Sequence, residues 1–325
     1  MTVPDRFASL DIGSNTVRLL IAEQAERRLF RPLQRERRIT RLGGNFSLNG
    51  YLAEASISRT VAAVADFALL SKKEKVKEVF AVATGVVREA KNGADFLARV
   101  KMETGIEPRL LSGSEEARLT LEGVLCSLPN APSSYLVTDV GGWSTEILWI
   151  HDGNLQKARS ANLGAVSATE RFLLSDPPQS PEITCLDEHI VEELREIQRD
   201  FEATGRDFEK VPTLLVGTAG TITTLAAIDL GLRDYDALQI NGHLLTLRQI
   251  EALFFRLAGV RAAERKRIPG LEEGREDLIL SGIRIVLKIM EIFRVDRLMV
   301  VDSGLLEGVM AEGIRKRYSL GYFHP

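Results

Sequence analysis

The sequence predicts an α/β fold with mixed sheets, built from two related halves. Three observations predict it. Short apolar runs alternate with longer segments whose apolar residues recur at helical spacing. Two of those runs close with the same grammar of aspartate, an aliphatic residue, glycine and a polar cluster: Leu10-Asp11-Ile12-Gly13-Ser14-Asn15-Thr16 and Thr138-Asp139-Val140-Gly141-Gly142-Trp143-Ser144-Thr145. Each turn leads straight into a second apolar run, so the strands around it pair antiparallel, whereas the helix-linked strands run parallel.

The elements follow in order. Phe7 to Leu10 is the first strand and Val17 to Ala22 the returning one. The basic run Arg27, Arg28, Arg31, Arg35, Arg37 and Arg38, broken by Glu36 and apolar residues, reads as a solvated hairpin face; an electropositive rim for polyanions is the competing reading. Gly43-Gly44-Asn45 and Asn49-Gly50 mark turns, and Ala53 to Leu70 is a covering helix. Val79 to Ala83 is a buried strand ending at Thr84-Gly85, and Val86 to Val100 reads as one helix with Arg88 at its start. Arg88 either forks onto a phosphate or pairs at the surface with Glu89 or a neighbour. Pro108 to Leu111 feeds Ser112-Gly113-Ser114-Glu115-Glu116, and a helix continues to about Val124. Glu115 reads as a first-turn residue favoured by the helix dipole; Glu116 is a candidate general base.

The second half repeats the layout. A strand pair flanks the Asp139 turn and continues through Asp152-Gly153; helices follow over Val166 to Leu174 and Leu186 to Thr204, with residues 176–181 as a loop between them. Thr213 to Val216 then leads into Gly217-Thr218-Ala219-Gly220-Thr221, where a strand meets a helix N-terminus and backbone N–H groups face outward, either toward a phosphate or in a plain tight turn. Leu247 to Leu257 is helical. A long helix ends at Phe293, Arg297 to Val301 is the last strand, and Leu305 to about Arg317 the last helix.

The chemistry lies in the paired turns. Without a Cβ, Gly141 and Gly142 can adopt positive φ and let backbone N–H groups converge on an anion, with Ser144 and Thr145 adding hydroxyls. The carboxylate of Asp139 would repel bare phosphate, and a divalent cation reconciles the two. The Ser14-Asn15-Thr16 cluster beside Asp11 repeats the arrangement, so both turns are expected to face one nucleotide or polyphosphate. A formal net charge of −3 over 325 residues argues against a nucleic-acid partner, and no long uncharged apolar stretch suggests a membrane span. The N-terminus shows no charged-then-apolar leader, making the cytoplasm the expected compartment. Cys126 and Cys185 form no framework, and no histidine has metal-ligand spacing.

Together these residues resemble the exopolyphosphatase / guanosine pentaphosphate phosphohydrolase family, within the actin, sugar-kinase and heat-shock ATPase superfamily. The resemblance is carried by Asp11 to Thr16, Ala83 to Asn92, Ser112 to Ala117, Asp139 to Glu146, Gly217 to Thr221, and Arg275 to Gly282 with Asp302 to Gly308. It implies two ribonuclease-H-like domains around a cleft, 1–125 and 126–304, with the helix in 305–325 packing back on the first. It implies Glu116 as the base that activates water, with Asp139 acting beside it, and Asp11, Asp139 and Glu146 as ligands of Mg²⁺ or another divalent cation. Phosphate-binding positions are then Ser14, Asn15, Thr16, Arg88, Gly141, Gly142, Ser144, Thr145, Gly217, Thr218, Ala219, Gly220 and Arg275; Arg275 rests on the resemblance alone. The implied substrates are polyphosphate or guanosine penta- or tetraphosphate, and the implied assembly a homodimer. The chain is similar to the short two-domain form, without the further His-Asp domain of longer members. Two departures stand out. Trp143 occupies the family's third glycine before the serine, and Val86 its alanine. Trp143 favours a second reading, a non-hydrolytic sensor of the same ligands, whereas Glu116, Asp139 and Glu146 favour the enzyme.

Overall fold

The computed structural model describes residues 4–25, 29–46, 49–128, 132–203 and 213–320. In chain order the elements are β1 (Arg6–Ile12), β2 (Thr16–Gln24), β3 (Phe30–Ile39), α1 (Glu54–Lys73), β4 (Glu78–Ala83), α2 (Val86–Glu89), α3 (Gly93–Thr104), β5 (Arg109–Leu110) and α4 (Gly113–Leu125). They continue as β6 (Ser134–Val140), β7 (Thr145–His151), β8 (Asn154–Ala161), α5 (Ala165–Phe172), α6 (Ser180–Glu202), β9 (Leu215–Thr218), α7 (Ala219–Asp229), α8 (Ala237–Ile240) and β10 (Leu244–Thr246). The last are α9 (Leu247–Ala258), α10 (Ala262–Arg265), α11 (Ile279–Ile292), β11 (Arg297–Val300) and α12 (Leu305–Tyr318). The chain divides into two compact units, residues 1–126 with 304–325, and residues 127–303.

Each unit is built on the same sheet plan. In the first the strand order is β3-β2-β1-β4-β5; in the second it is β8-β7-β6-β9-β11-β10. In both, the first three strands form an antiparallel meander and the next two join parallel to it. The second sheet adds β10 antiparallel at its edge. The central strands β1 and β6 are buried along almost their whole length, which is why they read as continuous apolar runs. Edge strand β3 carries arginines and Pro32, the composition that keeps an exposed edge from pairing with another chain. Arg31 and Arg38 pair with Glu23 and Glu36, as expected of a solvated hairpin face; Arg27 and Arg28 lie outside the described residues.

In the first unit, α12 returns from the far end of the sequence to cover the sheet. Leu306, Met310, Ala311 and Ile314 pack on Phe7, Leu20 and Ala22, and Leu305 and Val309 on Val82, Leu111 and Leu119. Its crossing with α4 is backbone-close: a Cβ on Gly123 would stand 1.7 Å from the Gly304 carbonyl oxygen, and one on Gly308 1.8 Å from that of Leu119. In the second unit, α6 presents Leu186, Ile190, Leu194, Ile197 and Phe201 at helical spacing to a core shared with α11 and β6.

Three expectations are corrected. The helix read over 86–100 is two helices, because the chain is extended at Ala90 and a side chain at Gly93 would meet the Val87 carbonyl oxygen at 2.2 Å. Helix α6 begins at Ser180, inside the segment read as a loop: Pro181 sits in its first turn, where a missing N–H costs nothing, and Glu182 accepts the Gln179 N–H at 2.6 Å. Neither Gly141 nor Gly142 lies at positive φ. What requires glycine at 141 is close approach, since a Cβ there would be 2.9 Å from the Ser144 carbonyl oxygen.

Candidate active site

The two Asp-Gly turns are superposable in their bonding. Gly13 N–H donates to the Thr16 carbonyl at 3.1 Å, and Gly141 N–H to that of Ser144 at 3.0 Å. Each turn joins an antiparallel pair whose register sets one residue opposite the aspartate: Arg18 faces Asp11, and Glu146 faces Asp139. The matching positions therefore hold an ion pair in the first unit and two carboxylates in the second.

In the first unit Asp11 is 2% exposed, and its Oδ2 accepts Arg18 Nε at 3.0 Å and Nη2 at 2.6 Å. Its Oδ1 is buried without a hydrogen-bond partner, so of the two oxygens expected for a metal, one is already committed to Arg18. Ser14 Oγ accepts the Val86 N–H at 3.1 Å, which ties the turn to the start of α2 and leaves the hydroxyl proton to donate elsewhere. The Asn15 carbonyl accepts from Thr40 and Arg41, its side-chain Oδ1 is buried and unpaired, and its Nδ2 lies 3.5 Å from Thr16 Oγ1. Helix α2 starts from Gly85 at φ +49°, a left-handed conformation suited to glycine, and this sharp entry aims Arg88 back toward α4. Arg88 Nη1 donates to the Leu111 carbonyl at 2.9 Å and to Glu116 Oε2 at 3.2 Å. Its partner is thus Glu116, not Glu89. Glu116 is 7% exposed.

Its neighbour has a different employment. Ser112 Oγ accepts the Glu115 N–H, and Glu115 Oε2 accepts the Ser112 N–H at 2.9 Å, a reciprocal cap at the start of α4. Hydrogen bonds from the Ser112 backbone and hydroxyl hold the Glu115 carboxyl below its ordinary range.

In the second unit Asp139 and Glu146 are 7% and 1% exposed. The turn between them is anchored from outside: the N–H groups of Ala165, Val166 and Ser167, at the start of α5, donate to the Gly141 and Gly142 carbonyls. Gly164 packs so closely on the Gly142–Trp143 peptide that a Cβ would come within 2.4 Å of it. Trp143 is 7% exposed, so its ring is buried rather than held in solvent. Two expected phosphate donors are otherwise engaged. Thr145 is fully buried and its hydroxyl donates to the Leu163 carbonyl; Thr218 donates its hydroxyl to Ser303 at 2.9 Å. Gly217 lies within β9, where a Cβ would meet Leu298 and Ile222 at 2.8 to 2.9 Å, so its glycine serves sheet packing.

The Thr218 side chain makes no capping bond to the first turn of α7, and Ala219 sits at φ +68°, a strained conformation for a residue with a Cβ. Arg275 comes to this turn: a Cβ on Gly220 would fall 2.1 to 2.3 Å from its guanidinium, and Glu272 Oε2 accepts Arg275 Nε at 2.7 Å. The fold thus brings together Arg88 with Glu116, Asp139 with Glu146, and Arg275 with Gly220. Arg18 and Glu272 escaped the sequence reading. Arg18 was accessible by counting outward from the turn, since the strand register fixes which residue faces Asp11.

A mixed-sheet unit occurring twice, with an acid-bearing glycine turn in each copy, defines an α/β protein of two related halves. A model of the Ppx/GppA phosphatase family matches residues 20–317, and the chain belongs to that family. It is 31% identical to exopolyphosphatase 2 of Mycobacterium tuberculosis, over 94% of this chain and 97% of that one. It is 30% identical to a bifunctional 3-dehydroquinate synthase/phosphatase of Fusobacterium nucleatum, of which it spans 47%. It is 24% identical to a guanosine-5′-triphosphate,3′-diphosphate pyrophosphatase of Pseudoalteromonas translucida, of which it spans 58%. The crystal structure of the Aquifex aeolicus family member superposes with a TM-score of 0.79 at 35% identity, covering 97% of this chain and 99% of that one. Among the described residues no helix is long and apolar enough to cross a membrane, and no three His, Cys, Asp or Glu side chains cluster as a metal site.

Proposed function

We propose that this protein hydrolyses a terminal phosphoric anhydride, releasing phosphate from inorganic polyphosphate or the 5′-γ-phosphate from guanosine pentaphosphate, with a divalent cation such as Mg²⁺ as cofactor. The relatives named for these activities support the substrate class. The observation that carries the metal-assisted reading is the buried pair Asp139 and Glu146, facing each other across β6 and β7 where the first unit has Asp11 and Arg18. Two buried carboxylates on neighbouring strands offer a divalent cation hard oxygen donors side by side. The donor set fits: Asp139 and Glu146 would supply the hard carboxylate oxygens that a divalent cation takes. When bound, the cation neutralises phosphoryl charge.

The residues then divide the work. Glu116, held by Arg88, orients the attacking water and accepts its proton as the new P–O bond forms. The anhydride P–O bond breaks, and the shortened polyphosphate or guanosine tetraphosphate leaves with the electron pair on its bridging oxygen. Arg275, the first turn of α7 and the Ser144 hydroxyl take up phosphate charge.

The test is phosphate release with Mg²⁺ from long-chain polyphosphate and from guanosine pentaphosphate, with Glu116→Gln alongside. Release that falls about a hundred- to ten-thousand-fold in the variant, with substrate binding retained, supports the assignment. Normal turnover by Glu116→Gln removes Glu116 from the mechanism. No release from either substrate, with tight binding of guanosine tetraphosphate, replaces the enzyme with a sensor.

A further inference from the structure

The row of residues running across the second sheet from Asp139 does not stop at Glu146. The register of β7 with β8 sets Ser160 opposite Glu146, as Glu146 is opposite Asp139. Alternation along the strands puts all three on the face away from the core residues Val140, Ile147 and Ala161. Ser160 Oγ donates to Glu146 Oε1 at 2.7 Å, and the Thr138 hydroxyl donates to the Glu146 carbonyl at 3.1 Å, so the glutamate is held by hydroxyls at both its side chain and its backbone. The corresponding row of the first unit reads Asp11, Arg18, Arg37. There Arg18 supplies the counter-charge itself, through two bonds to Asp11. The second unit has the neutral Ser160 at the row position where the first has Arg37.

A glutamate side chain has three rotatable bonds, and its carboxylate turns freely unless something selects one orientation. A hydroxyl on Oε1 restricts that rotation without adding charge to the pair. We infer that Ser160 is a positioning residue that holds the Glu146 carboxylate for a divalent cation beside Asp139, and so sets metal affinity rather than the chemical step. The inference rests on the metal-assisted reading above.

The experiment compares wild type, Ser160→Ala and Ser160→Thr. Binding of Mn²⁺ alone is measured by calorimetry, the Mg²⁺ dependence of phosphate release by titration, and metal-free Tm by thermal unfolding. Loss of the hydroxyl weakens Mn²⁺ binding and raises the half-saturating Mg²⁺ concentration by about 10- to 100-fold, while turnover at saturating Mg²⁺ is preserved. Ser160→Thr, which keeps the hydroxyl on a residue suited to a strand, restores both. Unchanged Mn²⁺ affinity in Ser160→Ala, against clear binding by wild type, overturns the inference and leaves the metal reading intact. A fall in metal-free Tm with unchanged metal dependence also overturns it, making Ser160 a packing residue. Wild type that binds no Mn²⁺ and needs no divalent ion overturns the metal reading itself.

Discussion

Adjacent glutamates at the start of α4 point their carboxylates at different partners, Glu115 back to Ser112 and Glu116 to Arg88. A cap and a catalytic candidate differ here only by the 100° rotation between successive helical residues. Trp143 is the residue whose environment most changes its meaning. Its ring is buried, so Trp143→Gly is expected to cost about 3–5 kcal/mol, read as a lower midpoint in urea unfolding, rather than simply opening the turn. Gly220 predicts differently. A methyl group there displaces the flexible end of Arg275, so Gly220→Ala is expected to raise KM by about 10- to 100-fold with little change in Tm. Equal KM in the variant would detach Arg275 from the phosphate. Arg88 shows why such pairings were hard to read from sequence. The residue beside it, Glu89, was visible as a partner; the true one lies 28 positions away and is reached only after β5 and α4 have formed.

At the scale of elements, α4 depends on its ends and on its neighbour. Removing the N-terminal cap with Ser112→Ala is expected to cost about 0.5–2 kcal/mol, and because Glu116 follows Glu115, the far member of the capping box, turnover should fall with stability. The crossing with α12 is less forgiving. Gly308→Ala forces a Cβ against the Leu119 backbone, which cannot yield as a side-chain tip does, and a loss of about 1–3 kcal/mol is expected in denaturant unfolding. Strands and long helices were legible because their periodicity is local: α1 buries Ile57, Val61, Val64 and Phe67 at the spacing the sequence displays. The break between α2 and α3 was not, because it depends on the Val87 carbonyl crowding Gly93.

At the scale of the molecule, the acid limb of stability has an identifiable contributor. Burial pushes the Glu312 carboxyl up, but bonds from Arg118 and Lys316 and the charge of Arg109 outweigh it and hold the pKa below the usual 4.5. A carboxyl depressed in the folded state binds its proton more readily when unfolded, so the stability it contributes is fully present above about pH 4.5 and is lost as pH falls through the folded value. Glu312→Gln is therefore expected to flatten the decline of the unfolding midpoint on acidification below about pH 4.5; an unchanged slope would assign that decline to other carboxylates. Arg109 and Arg118 tie Glu312 of α12 to residues some two hundred positions earlier, and no pattern within the last helix announces them.

By itself the sequence determined the alternation of strands and helices, the two Asp-Gly turns and the acids that accompany them, because each is written in residues a few positions apart. The tertiary structure decided what those residues do. Sheet register set Arg18 against Asp11 but Glu146 against Asp139, with Ser160 beyond; the return of α12 completed the first unit; and packing engaged the Thr145 and Thr218 hydroxyls with backbone carbonyls and pressed Gly217 against Leu298 and Ile222. The physical reason is the same in each case: a polar group's role depends on its nearest partner in space, and in a mixed sheet that partner comes from another strand.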